Sequence, residues 1–72
     1  MAITLWVKSD CPYCDALKRD LAERGVAYEE IDVERDVHLV PELLKLTGRR
    51  RIVPVLVHGT RIEVAPHGGS AF

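Results

Sequence analysis

Ile3-Thr4-Leu5-Trp6-Val7-Lys8-Ser9-Asp10-Cys11-Pro12-Tyr13-Cys14 passes from one residue pattern into another, and two cysteines stand at the change. Ile3, Leu5 and Val7 alternate with Thr4, Trp6 and Lys8 in a run rich in β-branched and aromatic residues, which predicts a strand over residues 2–8. From Cys11 onward Cys14, Leu17, Leu21 and Arg24 recur at steps of three and four. That spacing predicts a helix from about residue 12 to residue 24, with Gly25 as its C-cap. Pro12 sits at the first helical position, where a missing N–H costs nothing.

Further along, Val26 to Val33 carries Tyr28 and Ile31 among acidic neighbours and reads as a second strand, so the order so far is that of a parallel βαβ unit. Asp36 is placed to cap a second helix running to Thr47-Gly48, although Pro41 inside it predicts a kink or a late start. Two short strands, Val53 to His58 and Arg61 to Ala65, flank Gly59-Thr60, a pair with the length and residue types of a hairpin turn. Pro66-His67-Gly68-Gly69-Ser70 is too rich in turn residues to continue a strand, and Ala71-Phe72 follows. The expected architecture is α/β, with the order β-α-β-α-β-β and a mixed four-stranded sheet.

Composition narrows what such a unit does. Seventy-two residues are expected to form one domain over 1–72, since a chain of this size buries only about 60% of its unfolded surface. A net charge of −1, from ten basic and eleven acidic residues, gives no general field to draw nucleic acid or anionic lipid. Arg49-Arg50-Arg51 is a run of three without interleaved aromatics, so no nucleic-acid partner is expected. No apolar run approaches the roughly 18 residues of a membrane span, and the short apolar start has neither a basic lead nor a small-residue cleavage site. The expectation is a cytoplasmic monomer, in a reducing compartment where paired cysteines serve catalysis or metal binding more often than stapling.

Cys11 and Cys14, two residues apart at a helix start, lie one turn from each other and within reach of a disulfide. A free thiol, with a pKa of about 8.5, is only a few per cent ionised at neutral pH, yet the thiolate is the nucleophile. At a helix N-terminus the unpaired N–H groups and the macrodipole favour the anion, and Lys8 lies three residues upstream. Cys11 is therefore the candidate nucleophile, and Cys14, one turn inward and expected to be less exposed, the candidate resolving thiol. Asp10 and Asp15 oppose the anion. A zinc knuckle is a second reading of the pair, but tetrahedral zinc needs two further ligands and only His38, His58 and His67 are on offer, widely scattered. Two buried, inert cysteines are a third. The histidines themselves read as surface residues, with His67 alone near enough to Gly68 to meet a substrate.

Cys11-Pro12-Tyr13-Cys14 after a first strand, Thr47-Gly48-Arg49 followed by Ile52-Val53-Pro54, and Gly68-Gly69 together resemble the glutaredoxin family in the right order along most of the chain. The resemblance implies a thioredoxin-like fold in which Pro54 is cis and faces Cys11, with the backbone of Val53 left to pair with an extended, peptide-like substrate. It implies a thiol–disulfide oxidoreductase with no bound cofactor, acting on disulfide-containing proteins, with glutathione as reductant or co-substrate. Lys8 and Arg49 would hold the glycine carboxylate of glutathione, Pro12 and Tyr13 would line the groove, and Gly68-Gly69 would approach the γ-glutamyl end. The basic loop has one residue more than the family's usual pattern, so Arg50 or Arg51 could stand in for Arg49.

Two departures accompany the likeness. Ser70-Ala71-Phe72 follows the glycine pair where the family typically places acidic residues, and the span from Pro54 to Gly68 is longer than usual. The family's C-terminal helix is expected to be absent or vestigial, so that the remaining layer is thin or Trp6 and Phe72 cover the sheet. Such an ending resembles the short glutaredoxin-like proteins of prokaryotes, some of which take electrons from a thioredoxin-reductase flavoprotein. Within the same family, a glutathione-ligated iron–sulfur carrier using Cys11 is an alternative. A non-enzymatic module binding zinc or a protein through the cysteine loop is the reading from another class.

Overall fold

A computed structural model describes residues 2–72. The first strand, β1 (Ile3–Val7), has Leu5, Trp6 and Val7 buried in succession. Burial on both sides of the pleat marks a central strand covered on each face, which alternation alone did not require. Helix α1 (Pro12–Glu23) buries Cys14, Leu17 and Leu21 along one stripe. It ends with Arg24 as its cap, one residue before the sequence-based assignment, and Gly25 beyond it takes the left-handed conformation at φ 67°. Gly25 N–H donates to Ala22 C=O at 3.1 Å and Val26 N–H to Leu21 C=O at 2.9 Å, the paired bonds of a Schellman closure. Because Val26 is spent on that closure, strand β2 starts later than expected, as Glu29–Asp32.

β2 lies parallel to β1, with Trp6 opposite Ile31. After it, Asp32 Oδ1 accepts from the amides of Glu34 at 2.8 Å and Arg35 at 3.2 Å, which turns the chain. A 3-10 turn, Val37–Leu39, precedes α2 (Val40–Thr47), so the regular helix does begin only beside Pro41. Asp36 stands at the start of the 3-10 turn but makes no side-chain capping bond among the described residues; its carboxylate accepts from the Arg35 guanidinium at 2.8 Å.

The remaining strands are β3 (Ile52–Val53), β4 (Val55–His58), β5 (Arg61–Val64) and β6 (Ser70–Ala71). β4 runs antiparallel to β1, and β5 antiparallel to β4 across Gly59-Thr60, giving a mixed four-stranded sheet in the order β2-β1-β4-β5. β3 and β6 form a separate antiparallel ribbon that the sequence reading did not anticipate. The fold is thioredoxin-like α/β. Its core joins Leu5, Val7, Leu17, Leu21, Leu43, Val53 and Val55 with both cysteines. Trp6 is also buried, its indole N–H without a hydrogen-bond partner among the described residues, while Phe72 lies partly buried at the margin. Among the described residues no helix is long and apolar enough to cross a membrane.

Candidate active site

Asp10 makes the bend between β1 and α1 in the left-handed conformation, φ 53°, which aspartate tolerates better than most residues. The loop is tied down from outside: Glu34 Oε1 accepts from the Ser9 amide at 3.2 Å and from the Ser9 hydroxyl at 2.6 Å. Cys11 then takes the N-cap position of α1, with Pro12 in the first turn. An N-cap side chain normally presents an oxygen to an orphan amide of the first turn. Here sulfur does this, and the Cys14 N–H donates to Cys11 Sγ at 3.1 Å.

Cys11 and Cys14 are joined as a disulfide, with Cα atoms 5.1 Å apart. The expected contrast in exposure is absent, since both are fully buried in this oxidised form. One turn of helix brings the two sulfurs together, so neither stands out from the loop. Asp10 and Asp15 are exposed to solvent, where water screens their effect on the sulfurs. No group of three or more His, Cys, Asp and Glu among the described residues is arranged to hold a metal ion.

The Val53–Pro54 peptide is cis, in agreement with the resemblance. Pro54 is buried and lines a mainly apolar hollow of about 190 Å³ with Tyr13, Ala16, Leu17, Asp20, Pro66, His67 and Gly68. Tyr13, Pro54, His67 and Gly68 were singled out from sequence. Ala16, Leu17 and Asp20 were not, although their spacing from Tyr13 puts them on the same helix stripe. Gly68 is needed at this point: its φ is 111°, and a Cβ there would lie 2.6 Å from Cε1 of Tyr13.

Lys8, partly buried at the end of β1, and Arg49 do not line this hollow. Arg49 extends from the end of α2 with φ 69°, its amide bonded to Leu44 C=O at 2.8 Å. The buried hydroxyl of Thr47 holds the loop by donating to Arg50 C=O at 2.7 Å and accepting from Arg50 N–H at 3.1 Å. Arg49 and Arg50 are exposed and form no ion pair among the described residues. Arg51 is engaged with Phe72, its Nε donating to Phe72 C=O at 2.8 Å and its guanidinium 4.8 Å from the ring centroid.

Gly69 lies tight against β3, where a Cβ would come within 2.6 Å of the Val53 carbonyl oxygen. Ser70 is the register partner of Val53, and Ala71 of Ile52. The Val53 backbone thus faces the chain's own C-terminal segment.

A cysteine pair closed as a disulfide at a helix start, on a mixed sheet with a cis-proline loop, defines a thiol–disulfide oxidoreductase of thioredoxin-like fold. The chain belongs to the glutaredoxin family, whose model matches residues 3–62. It is 35% identical to the glutaredoxin-like protein NrdH of Escherichia coli K12, over 99% of this chain and 100% of that protein. It is 25% identical to glutaredoxin 3 of the same strain, over 83% of this chain and 72% of that one. Among solved structures, the NrdH-redoxin of Escherichia coli, a glutaredoxin-like protein described as having a thioredoxin-like activity profile, superposes with a TM-score of 0.75. That match is 34% identical over 89% of this chain and 82% of the other. A thioredoxin-like protein of known structure gives a TM-score of 0.76 at 31% identity, over 86% of this chain and 84% of its own.

Proposed function

We propose that Cys11 is the nucleophile and Cys14 the resolving thiol of a dithiol exchange on protein disulfides, with electrons supplied by a flavoprotein of the thioredoxin-reductase kind. The observation that carries the roles is the Cys14 amide directed at Cys11 Sγ from the first turn of α1. An anion there receives a hydrogen bond and the positive end of the helix, whereas no such bond to Cys14 Sγ is present among the described residues. The Cys11 thiolate attacks one sulfur of the substrate disulfide, and the other sulfur leaves as a thiolate that takes up a proton. Cys14 loses its proton and attacks Cys11 Sγ, releasing the second substrate thiol and forming the Cys11–Cys14 disulfide. Two electrons have passed to the substrate, and a reductase dithiol returns them.

Two observations support the choice of donor. The NrdH-redoxin relative is described by a thioredoxin-like profile, and this chain has Ser70-Ala71-Phe72 rather than acidic residues after its glycine pair. Cys11→Ser should abolish reduction of a protein disulfide, and Cys14→Ser should accumulate a mixed disulfide at Cys11. Full activity of the Cys11→Ser protein overturns the assignment. Turnover of the native protein with NADPH and thioredoxin reductase should exceed turnover with glutathione and glutathione reductase, and the reverse order overturns the choice of donor.

A further inference from the structure

We infer that the segment Gly68–Phe72 is a specificity element that occupies, as an internal strand, the backbone edge at which a peptide-like disulfide would otherwise add to Val53. The inference rests on the dithiol reading above and concerns which disulfides reach that dithiol.

After β5 the chain turns at Ala65, φ 45°, whose amide donates to Pro54 C=O at 2.9 Å. It then reverses and runs antiparallel along residues 51–53. The Phe72 amide donates to Arg51 C=O at 3.2 Å. Bonded and non-bonded pairs alternate in an antiparallel ladder, so with Arg51 and Phe72 bonded, Ile52 and Ala71 are a non-bonded pair and Val53 and Ser70 a bonded one. Both backbone groups of Val53, its N–H and its C=O, are then committed to Ser70. The close approach of Gly69 to the Val53 carbonyl fits that bonding.

Recognition of an extended peptide by strand addition needs an edge with unpaired amides and carbonyls. Here that edge is already paired, and the Arg51 guanidinium over the Phe72 ring latches the far end of the pairing strand. A glutathione mixed disulfide, which offers a short extended backbone beside its sulfur, has to displace β6 to align. A disulfide that offers apolar side chains instead meets the hollow beside Tyr13 and Pro54, which β6 leaves open.

Ser70→Pro removes the N–H that pairs with Val53, and Phe72→Ala removes the latch while leaving the backbone intact. Each variant is compared with the native protein for reduction of a glutathione–peptide mixed disulfide and of dithiobis(nitrobenzoate), which has no peptide backbone, and for hydrogen exchange at the Val53 amide. In native protein the Val53 amide should be protected. In Ser70→Pro it should exchange faster as the ladder loosens, while kcat/KM for the glutathione substrate rises about fivefold, the worth of one net backbone hydrogen bond, and the aromatic disulfide is reduced as before. Phe72→Ala should move both readouts the same way by a smaller factor. An unprotected Val53 amide in the native protein overturns the inference, as does faster exchange in either variant without a gain on the glutathione substrate. Native protein that reduces neither disulfide refutes the dithiol reading instead.

Discussion

The amide of Cys14 donates to the sulfur of Cys11 across 3.1 Å, so the side chain that caps α1 is also the proposed nucleophile. Capping and reactivity are then one interaction, since a thiolate accepts that bond more strongly than a thiol or a disulfide sulfur. Reduction of the pair should leave α1 capped and better stabilised at its first turn.

Glu34 reaches back from the loop after β2 to hold Ser9 by two hydrogen bonds, two residues before Cys11. Glu34→Ala should lower stability by about 1 kcal/mol, the discounted worth of bonds that lie in solvent, and should slow disulfide reduction by loosening the approach to the cap. Urea unfolding and steady-state turnover check the two effects. Unchanged stability with unchanged turnover would show that the tether has no part in placing the cysteine loop.

Gly68→Ala should cost about 1–3 kcal/mol, because φ 111° is strained for any L side chain and the new methyl meets the Tyr13 ring. The ring is half exposed and can swing away, so reduction of substrates that use the hollow should fall more than reduction of a small aromatic disulfide. Denaturation and paired kinetics measure these. Equal losses on both substrates would detach Tyr13 from recognition.

Asp36 is held below its ordinary value of 3.8 by a hydrogen bond from Arg35, whose own value is raised in turn. The folded state therefore binds fewer protons here than the unfolded chain, and the stabilisation is complete above the unfolded value and disappears as pH falls through the folded one. The stability difference between native protein and Asp36→Asn should be flat from neutral pH down to about 5 and shrink below that, as unfolding midpoints at a series of pH values would record. A difference that persists at pH 2 would assign the effect to geometry rather than charge.

The periodic parts of the molecule could be read from the residues alone. Ile3, Leu5 and Val7 gave β1, the steps from Cys14 to Leu21 gave α1, and Pro41 marked the late start of α2. What escaped was set by backbone bonding between residues far apart in sequence. Val26 looks like strand by composition, yet its amide closes α1. Ser70-Ala71 has no strand pattern and becomes one because Ile52-Val53 lies alongside. At the site, the cysteine pair was legible from its spacing at a helix start and the cis-proline only from motif likeness, whereas the Ala16-Leu17 wall was available in helix spacing and overlooked. That Arg51, exposed like Arg49 and Arg50, is the one engaged by Phe72 among the described residues is fixed by the folded segment that carries Phe72, and no local pattern encodes it.

The decisive measurement is the rate of alkylation of each cysteine in the reduced protein as a function of pH, resolved by peptide mass. One thiol, Cys11, should ionise well below the value of about 8.5 for free cysteine, with Cys14 above it. If both titrate together at or above the free value, the Cys14 amide and the start of α1 do not stabilise an anion, and the proposed chemistry is contradicted.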